Sequence, residues 1–251
     1  VSRGGNKPVL VHGADNLGNV SAKYGRTDSD FKGFYPTAAP EFIYDVCSRS
    51  PGEISLVCIG PLTNIAAAIE SHPDLPELVR EIVIMGGALG ERRGNRSPAA
   101  EANFYNDPEA ARKVLRSGFR RIILADLNIT HQTDVRSLRK ACSSLDSVIS
   151  KFVWDVCSNY IEVYRYFGED IAPAHDVVPV MYLLRPDLFE AIDVHVQVET
   201  QGELTRGMSL ADWKQQWGRK PNCEVLTTLV DKDGFTQAFV DAMARLSHGL
   251  K

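Results

Sequence analysis

Short runs of β-branched and aliphatic residues alternate with helix-spaced patterns through the first half of this chain. Such alternation predicts a parallel sheet covered on both faces. Residues 8–12 (PVLVH), 54–60 (ISLVCIG), 81–87 (EIVIMGG) and 121–127 (RIILADL) read as buried-type strands. Residues 38–48, 62–71 and 107–117 read as helices between them. The third opens with Asp107-Pro108, where the aspartate is expected to cap and the proline to fill the first turn. The second half is more helical. Residues 148–167 and 176–184 carry apolar side chains at helical spacing, two late strands follow over 192–199 and 224–231, and a helix over 234–247 ends the pattern. No repeat or linker-like shift in composition interrupts it. The expectation is one domain over residues 1–251, an α/β fold with an open, mostly parallel, Rossmann-like sheet and flanking helices.

Composition narrows the class. The chain has 251 residues, 44% hydrophobic and 24% charged, enough to bury a core without staples. Its 28 basic against 32 acidic residues give a net charge of −4 and no basic stripe, so nucleic acid is not an expected partner. No apolar run approaches the ~18 residues that span a bilayer, and VSRGGNKPVL carries no signal-peptide core, so no membrane role is expected either. The five cysteines are scattered without a CxxC, which points to reduced thiols and a cytoplasmic location. GxSxG, GxxxxGK[ST], HExxH and a GxGxxG between strand and helix are all lacking.

In open parallel sheets, ligands bind beyond the carboxyl ends of the strands. HGADNLGN (12–19) places a histidine and an aspartate among glycines, which suits either a ligand loop or a turn with a capping Asp. In GPLTN (60–64), Thr63 or Asn64 could cap a helix. MGGA (85–88) is a glycine turn. Glu101 and Asn103 lie in a loop, and on extended backbone they can point the same way, offering acceptors and donors suited to sugar hydroxyls. Substitutions there are expected to impair turnover more than stability. Asp176 stands at a helix start, where it either caps or binds a hard cation such as calcium, and His175 could protonate a leaving group. His131 reads as structural.

Taken in order, HGADNLGN, GPLTNIA, EIVIMGGA, AEANFYNDPEAA and AHDVVPVMYLL resemble the inosine–uridine-preferring nucleoside hydrolases. The match runs from residue 8 to about 184, and VETQGELTRGMSLADW extends it more loosely. The resemblance implies calcium-dependent hydrolysis of the N-glycosidic bond of purine or pyrimidine ribonucleosides. On matching positions, calcium would be bound by the Asp176 carboxylate and the Thr63 carbonyl. Asn95, Glu101 and Asn103 would bind ribose hydroxyls, Met85 would line the pocket, and His175 and His12 would sit at the leaving-base side. The helix over 148–167 resembles the one bordering the base, so Tyr164 or Tyr166 could contact it, although aromatics at this spacing also serve as core. The resemblance also implies a homodimer or homotetramer. Ala102 stands where many members carry Phe, and Asn16 where Gly is usual.

The family's aspartate-rich DxDxGxDD motif occurs nowhere in these 251 residues. The expectation is therefore a nucleoside hydrolase represented without its first βα units, with the 251-residue chain inactive by itself. The alternative is a catalytically silent binding or partner subunit that keeps part of the nucleoside pocket.

Overall fold

Glu81–Met85 and Ile122–Ala125 are buried along their whole length, as apolar strands without polar alternation must be. They form the centre of the sheet in the computed structural model, which describes residues 11–15, 17–25 and 37–249. In chain order the elements begin with α1 (Ala39–Arg49), β1 (Ser55–Cys58), α2 (Thr63–Ser71), α3 (Leu75–Leu78) and β2 (Glu81–Met85). There follow α4 (Ala102–Asn106), α5 (Pro108–Val114), β3 (Ile122–Ala125), α6 (Leu127–Thr130), α7 (Val135–Cys142) and α8 (Val148–Tyr166). The remainder is α9 (Val177–Leu184), β4 (Phe189–Val194), β5 (Val196–Val198), β6 (Ser209–Ala211), β7 (Cys223–Leu229) and α10 (Lys232–Gly249).

The chain divides into two compact units. The larger, Tyr35–Gln132 with His175–Val230, holds every strand found among the described residues. Its main sheet runs β1-β2-β3-β7-β4, parallel except for β4, which pairs antiparallel with β7. β5 and β6 form a separate antiparallel pair. One hydrophobic cluster joins Leu62, Ile65, Ile82, Ile84, Phe104, Val114, Leu124 and Val225, uniting the sheet with α2, α4 and α5. Each such side chain contributes about 1.5–3 kcal/mol by leaving water. The parallel strands end side by side: Cys58 pairs with Ile84, and Met85 with Ala125. That shared carboxyl edge positions the candidate site.

The smaller unit, Val1–Phe34, Thr133–Ala174 and Asp231–Lys251, packs α7, α8 and α10 against one another. Asp134 caps α7 through the Arg136 N–H, and Ser147 with Ser150 forms a reciprocal capping box on α8. Asp155 on α8 receives Lys23 Nζ at 2.5 Å and the Tyr24 hydroxyl at 2.6 Å.

Three expectations change. Val11 and His12 are helical, not the end of a strand over 8–12, whose remaining residues lie outside those described. A five-residue apolar run has no periodicity to separate the two. The run over 192–199 is two strands in two sheets, broken at His195. Finally, Glu101 and Asn103 are not on extended loop backbone: Glu101 is the N-cap of α4 and Asn103 lies in its first turn.

Candidate functional site

Beyond β2, the turn Met85-Gly86-Gly87-Ala88 has its amides engaged by groups from distant parts of the chain. The Gly87 N–H donates to Glu101 Oε2 at 3.1 Å, Ala88 to Ser209 Oγ at 2.8 Å and Leu89 to Asp126 Oδ2 at 2.7 Å. Gly87 has φ +83°, and a Cβ on Gly86 would lie 2.5 Å from the Phe104 ring, so both glycines are required by geometry. Ser209 and Asp126 escape a motif-based reading because nothing local in the sequence links them to this turn.

Glu101 is 2% exposed. Its Oε1 accepts the Asn103 N–H at 2.8 Å, and its Oε2 accepts those of Gly87 and Phe104, both at 3.1 Å. Burial nevertheless pushes the carboxyl up to about 7, against the pull of those three donors, and the negative charge of Asp176 adds to the rise. Asn103 Nδ2 donates to the Met85 carbonyl at 3.0 Å and lies 3.4 Å from its sulfur. The Ile59 carbonyl, one residue past β1, is 3.5 Å from the same nitrogen. Asn95 Oδ1 accepts the Ala102 N–H at 2.9 Å, so its NH2 group is what it has left for a ligand. Glu101, Asn103, Met85 and Asn95 are thus brought together around α4.

Asp176 differs from most other acidic residues at helix starts; Asp74, before α3, likewise makes no cap bond, but it accepts the Tyr44 hydroxyl at 3.1 Å. Asp107, Asp126, Asp134 and Glu101 all accept backbone N–H groups of the helices they precede. Asp176, preceding α9, makes no side-chain cap bond and has helical φ −80°, ψ −13°. The capping explanation therefore fails for this carboxylate. It keeps an exposed surface, yet the protein around it raises its carboxyl to about 6 by stripping hydration. Beside it, His175 Nδ1 lies 2.8 Å from Thr130 Oγ1, and its ring meets His131 edge-on at 5.5 Å.

Thr63 occupies the first position of α2, and its hydroxyl donates to Asp107 Oδ2 at 2.5 Å. Asp107 also caps α5 through the Ala110 N–H, as its sequence context leads one to expect. A carbonyl in a first helical turn accepts the amide four residues on. The Ile59 carbonyl, at the strand end and outside any helix, is the main-chain oxygen that structure rather than motif brings beside Asn103.

The remaining sequence candidates belong to the smaller unit. His12 stacks on Tyr160 at 6.1 Å, and Tyr160 on Tyr164 at 4.7 Å. Burial lowers the His12 pKa. Tyr166 is 85% exposed at the last turn of α8 and contacts Phe167. Asp15 accepts the backbone N–H groups of Leu17, Asn19 and Ser21, which makes it the capping residue of its turn. Asn16 lies outside the described residues.

A hard divalent cation needs oxygen donors, and an uncapped carboxylate is suited in kind to one position of such a shell. The described residues contain no group of three or more His, Cys, Asp or Glu side chains arranged to hold a metal ion. Asp176 thus fits as one ligand, with water and substrate hydroxyls as further oxygens, and the described side chains do not complete the shell.

Asn103→Ala removes the amide but leaves the Glu101 network intact. It is expected to lower kcat/KM about 10–100-fold with little change in Tm, the pattern of a group that orients a reacting partner. A large fall in Tm with normal turnover would make Asn103 a packing residue.

Comparison with known proteins identifies the family. Residues 1–237 match the family described as inosine-uridine preferring nucleoside hydrolase. The pyrimidine-specific ribonucleoside hydrolase RihA of Salmonella newport is 39% identical over 82% of this chain and 65% of its own length. A plant nucleoside hydrolase superposes with TM-score 0.82 at 32% identity, covering 94% of this chain and 74% of the other. The purine-preferring ribonucleoside hydrolase from Gardnerella vaginalis superposes with TM-score 0.83 at 27% identity, over 95% and 74%. On the matched length, the ordered motifs and the shared fold, this chain belongs to the inosine-uridine preferring nucleoside hydrolase family.

Proposed function

We propose that the protein hydrolyses the N-glycosidic bond of purine or pyrimidine ribonucleosides, giving ribose and free base, with calcium as its cation. The observation that carries this reading is Asp176, a carboxylate at a helix start that caps nothing and whose charge reaches the buried Glu101. In this reading Asn103 and Asn95 donate to ribose hydroxyls, Glu101 accepts from one, and Met85 forms apolar wall. As the bond breaks, positive charge develops on the sugar and the ionised Asp176 opposes it. His175 holds a proton near the departing base. When bound, calcium would orient ribose hydroxyls and polarise a water. Five free cysteines support a reducing, cytoplasmic setting.

The test follows base release from inosine and uridine, comparing the protein expressed from its complete gene with the 251-residue chain. Activity is expected in the former and lost on chelation. Little is expected in the latter, since calcium takes six to eight oxygens and the described residues hold no group of three or more side chains arranged to supply them. Failure of the gene's full product to release base would favour the silent-subunit alternative.

A further inference from the structure

The ring of His175 is tied to the larger unit by a short chain of hydrogen bonds. His131 Nδ1 lies 2.6 Å from the Leu127 carbonyl oxygen. A carbonyl only accepts, so His131 carries its proton on Nδ1. The His131 backbone N–H reaches the same oxygen at 3.1 Å, and these two donors occupy its two lone pairs. The Thr130 hydroxyl is 3.3 Å from that oxygen and 2.8 Å from His175 Nδ1. Thr130 is fully buried. A hydroxyl has one proton to give; the Leu127 oxygen already accepts two N–H donors and lies 3.3 Å away, whereas the imidazole nitrogen lies at 2.8 Å.

We propose that Thr130 is a positioning residue that donates its hydroxyl proton to His175 Nδ1 and so holds the neutral imidazole as its Nε2–H tautomer. The proton on one ring nitrogen is set by the hydrogen bond the other makes. In this tautomer His175 presents an N–H, not a lone pair, on the side away from Thr130. For a glycosidic bond whose departing base must be protonated, that is the productive form. The edge-on contact with His131 limits rotation of the ring out of this arrangement. The consequence for catalysis rests on the ribonucleoside hydrolase reading; the tautomer itself does not.

Nitrogen-15 spectra of histidine-labelled protein, with the ring neutral, test the assignment in the unmodified protein and in Thr130→Val and Thr130→Ser. In the unmodified protein and the serine variant, Nε2 is expected to carry the proton, with Nδ1 resonating as a hydrogen-bonded imine nitrogen. In the valine variant, Nδ1 should move to the position of an unbonded imine nitrogen. In the same variant kcat for base release should fall about 10–100-fold with KM unchanged, and serine should restore it. A proton on Nδ1 in the unmodified protein overturns the proposal, as does an Nδ1 resonance that ignores the valine substitution. Should the valine variant fail to fold, the spectra of the other two still decide it. If no form of the protein releases base, the functional reading fails while the spectra still judge Thr130.

Discussion

Asp176→Asn is expected to lower kcat/KM for nucleoside hydrolysis by at least about 10²–10³-fold, the cost of removing one preorganised electrostatic group from a reacting centre. The substitution keeps shape and removes charge. Because the Asp176 side chain caps no amide, α9 loses nothing by it. Stability should move the other way. The folded protein raises this carboxyl to about 6 from an ordinary value near 3.8. A carboxyl raised in the folded state favours folding while protonated, and that contribution is lost as pH rises through about 6. At pH 8 the native carboxylate is ionised against its surroundings, and asparagine relieves this. Since the group is partly solvated, the gain is modest: a Tm higher by about 2–4 °C, the effect of roughly 1 kcal/mol at this size. Calcium affinity, measured by calorimetry, should fall with activity. Unchanged calcium binding together with full turnover would remove Asp176 from the site.

Glu101→Ala should be the most destabilising single change in the site. It leaves the N–H groups of Gly87, Asn103 and Phe104 without their acceptor and opens a cavity beneath α4. At about 1–3 kcal/mol for each buried unsatisfied group, a loss of about 3 kcal/mol or more is expected. Glu101→Gln retains one acceptor oxygen and turns an NH2 group toward a donor, so an intermediate loss of about 1–3 kcal/mol is expected. The pH dependence separates the charge from the hydrogen bonds. With the folded carboxyl near 7 and an ordinary value of 4.5, the contribution of Glu101 is full below about 4.5 and declines as pH rises through 7. The Tm difference between the unmodified protein and Glu101→Gln should therefore be wide at pH 5 and narrow at pH 8. A gap that widens with rising pH would mean that the carboxylate is the favoured buried form.

The destabilisation predicted for Glu101 variants differs from the expectation attached to a loop residue, because Glu101 is the buried N-cap of α4. The segment EANFYND is too short to display helical periodicity, so nothing in it announces α4 or the burial of its cap. Long, doubly buried strands were legible: EIVIM and RIILA have no polar alternation, and that pattern has no use outside a covered sheet. The break at His195 was not, because β-branched runs reveal a strand without revealing its partner. Asp107 and Asp176 look alike in sequence, each an acid before a helix. Only the fold shows that one is engaged with Ala110 and Thr63 while the other is left for something else. The support given by Ser209 and Asp126 to the glycine turn likewise arises from chain segments far apart.

On the proposed function, this site breaks the bond between ribose and base with water. The most direct measurement is product analysis from inosine and from uridine in phosphate-free buffer with calcium, using the protein expressed from its complete gene. Free base and free ribose are expected in equal amounts from at least one of the two, abolished by chelation and restored by added calcium. Base release that requires phosphate and yields a sugar phosphate, or no release from either nucleoside, would contradict the proposed function.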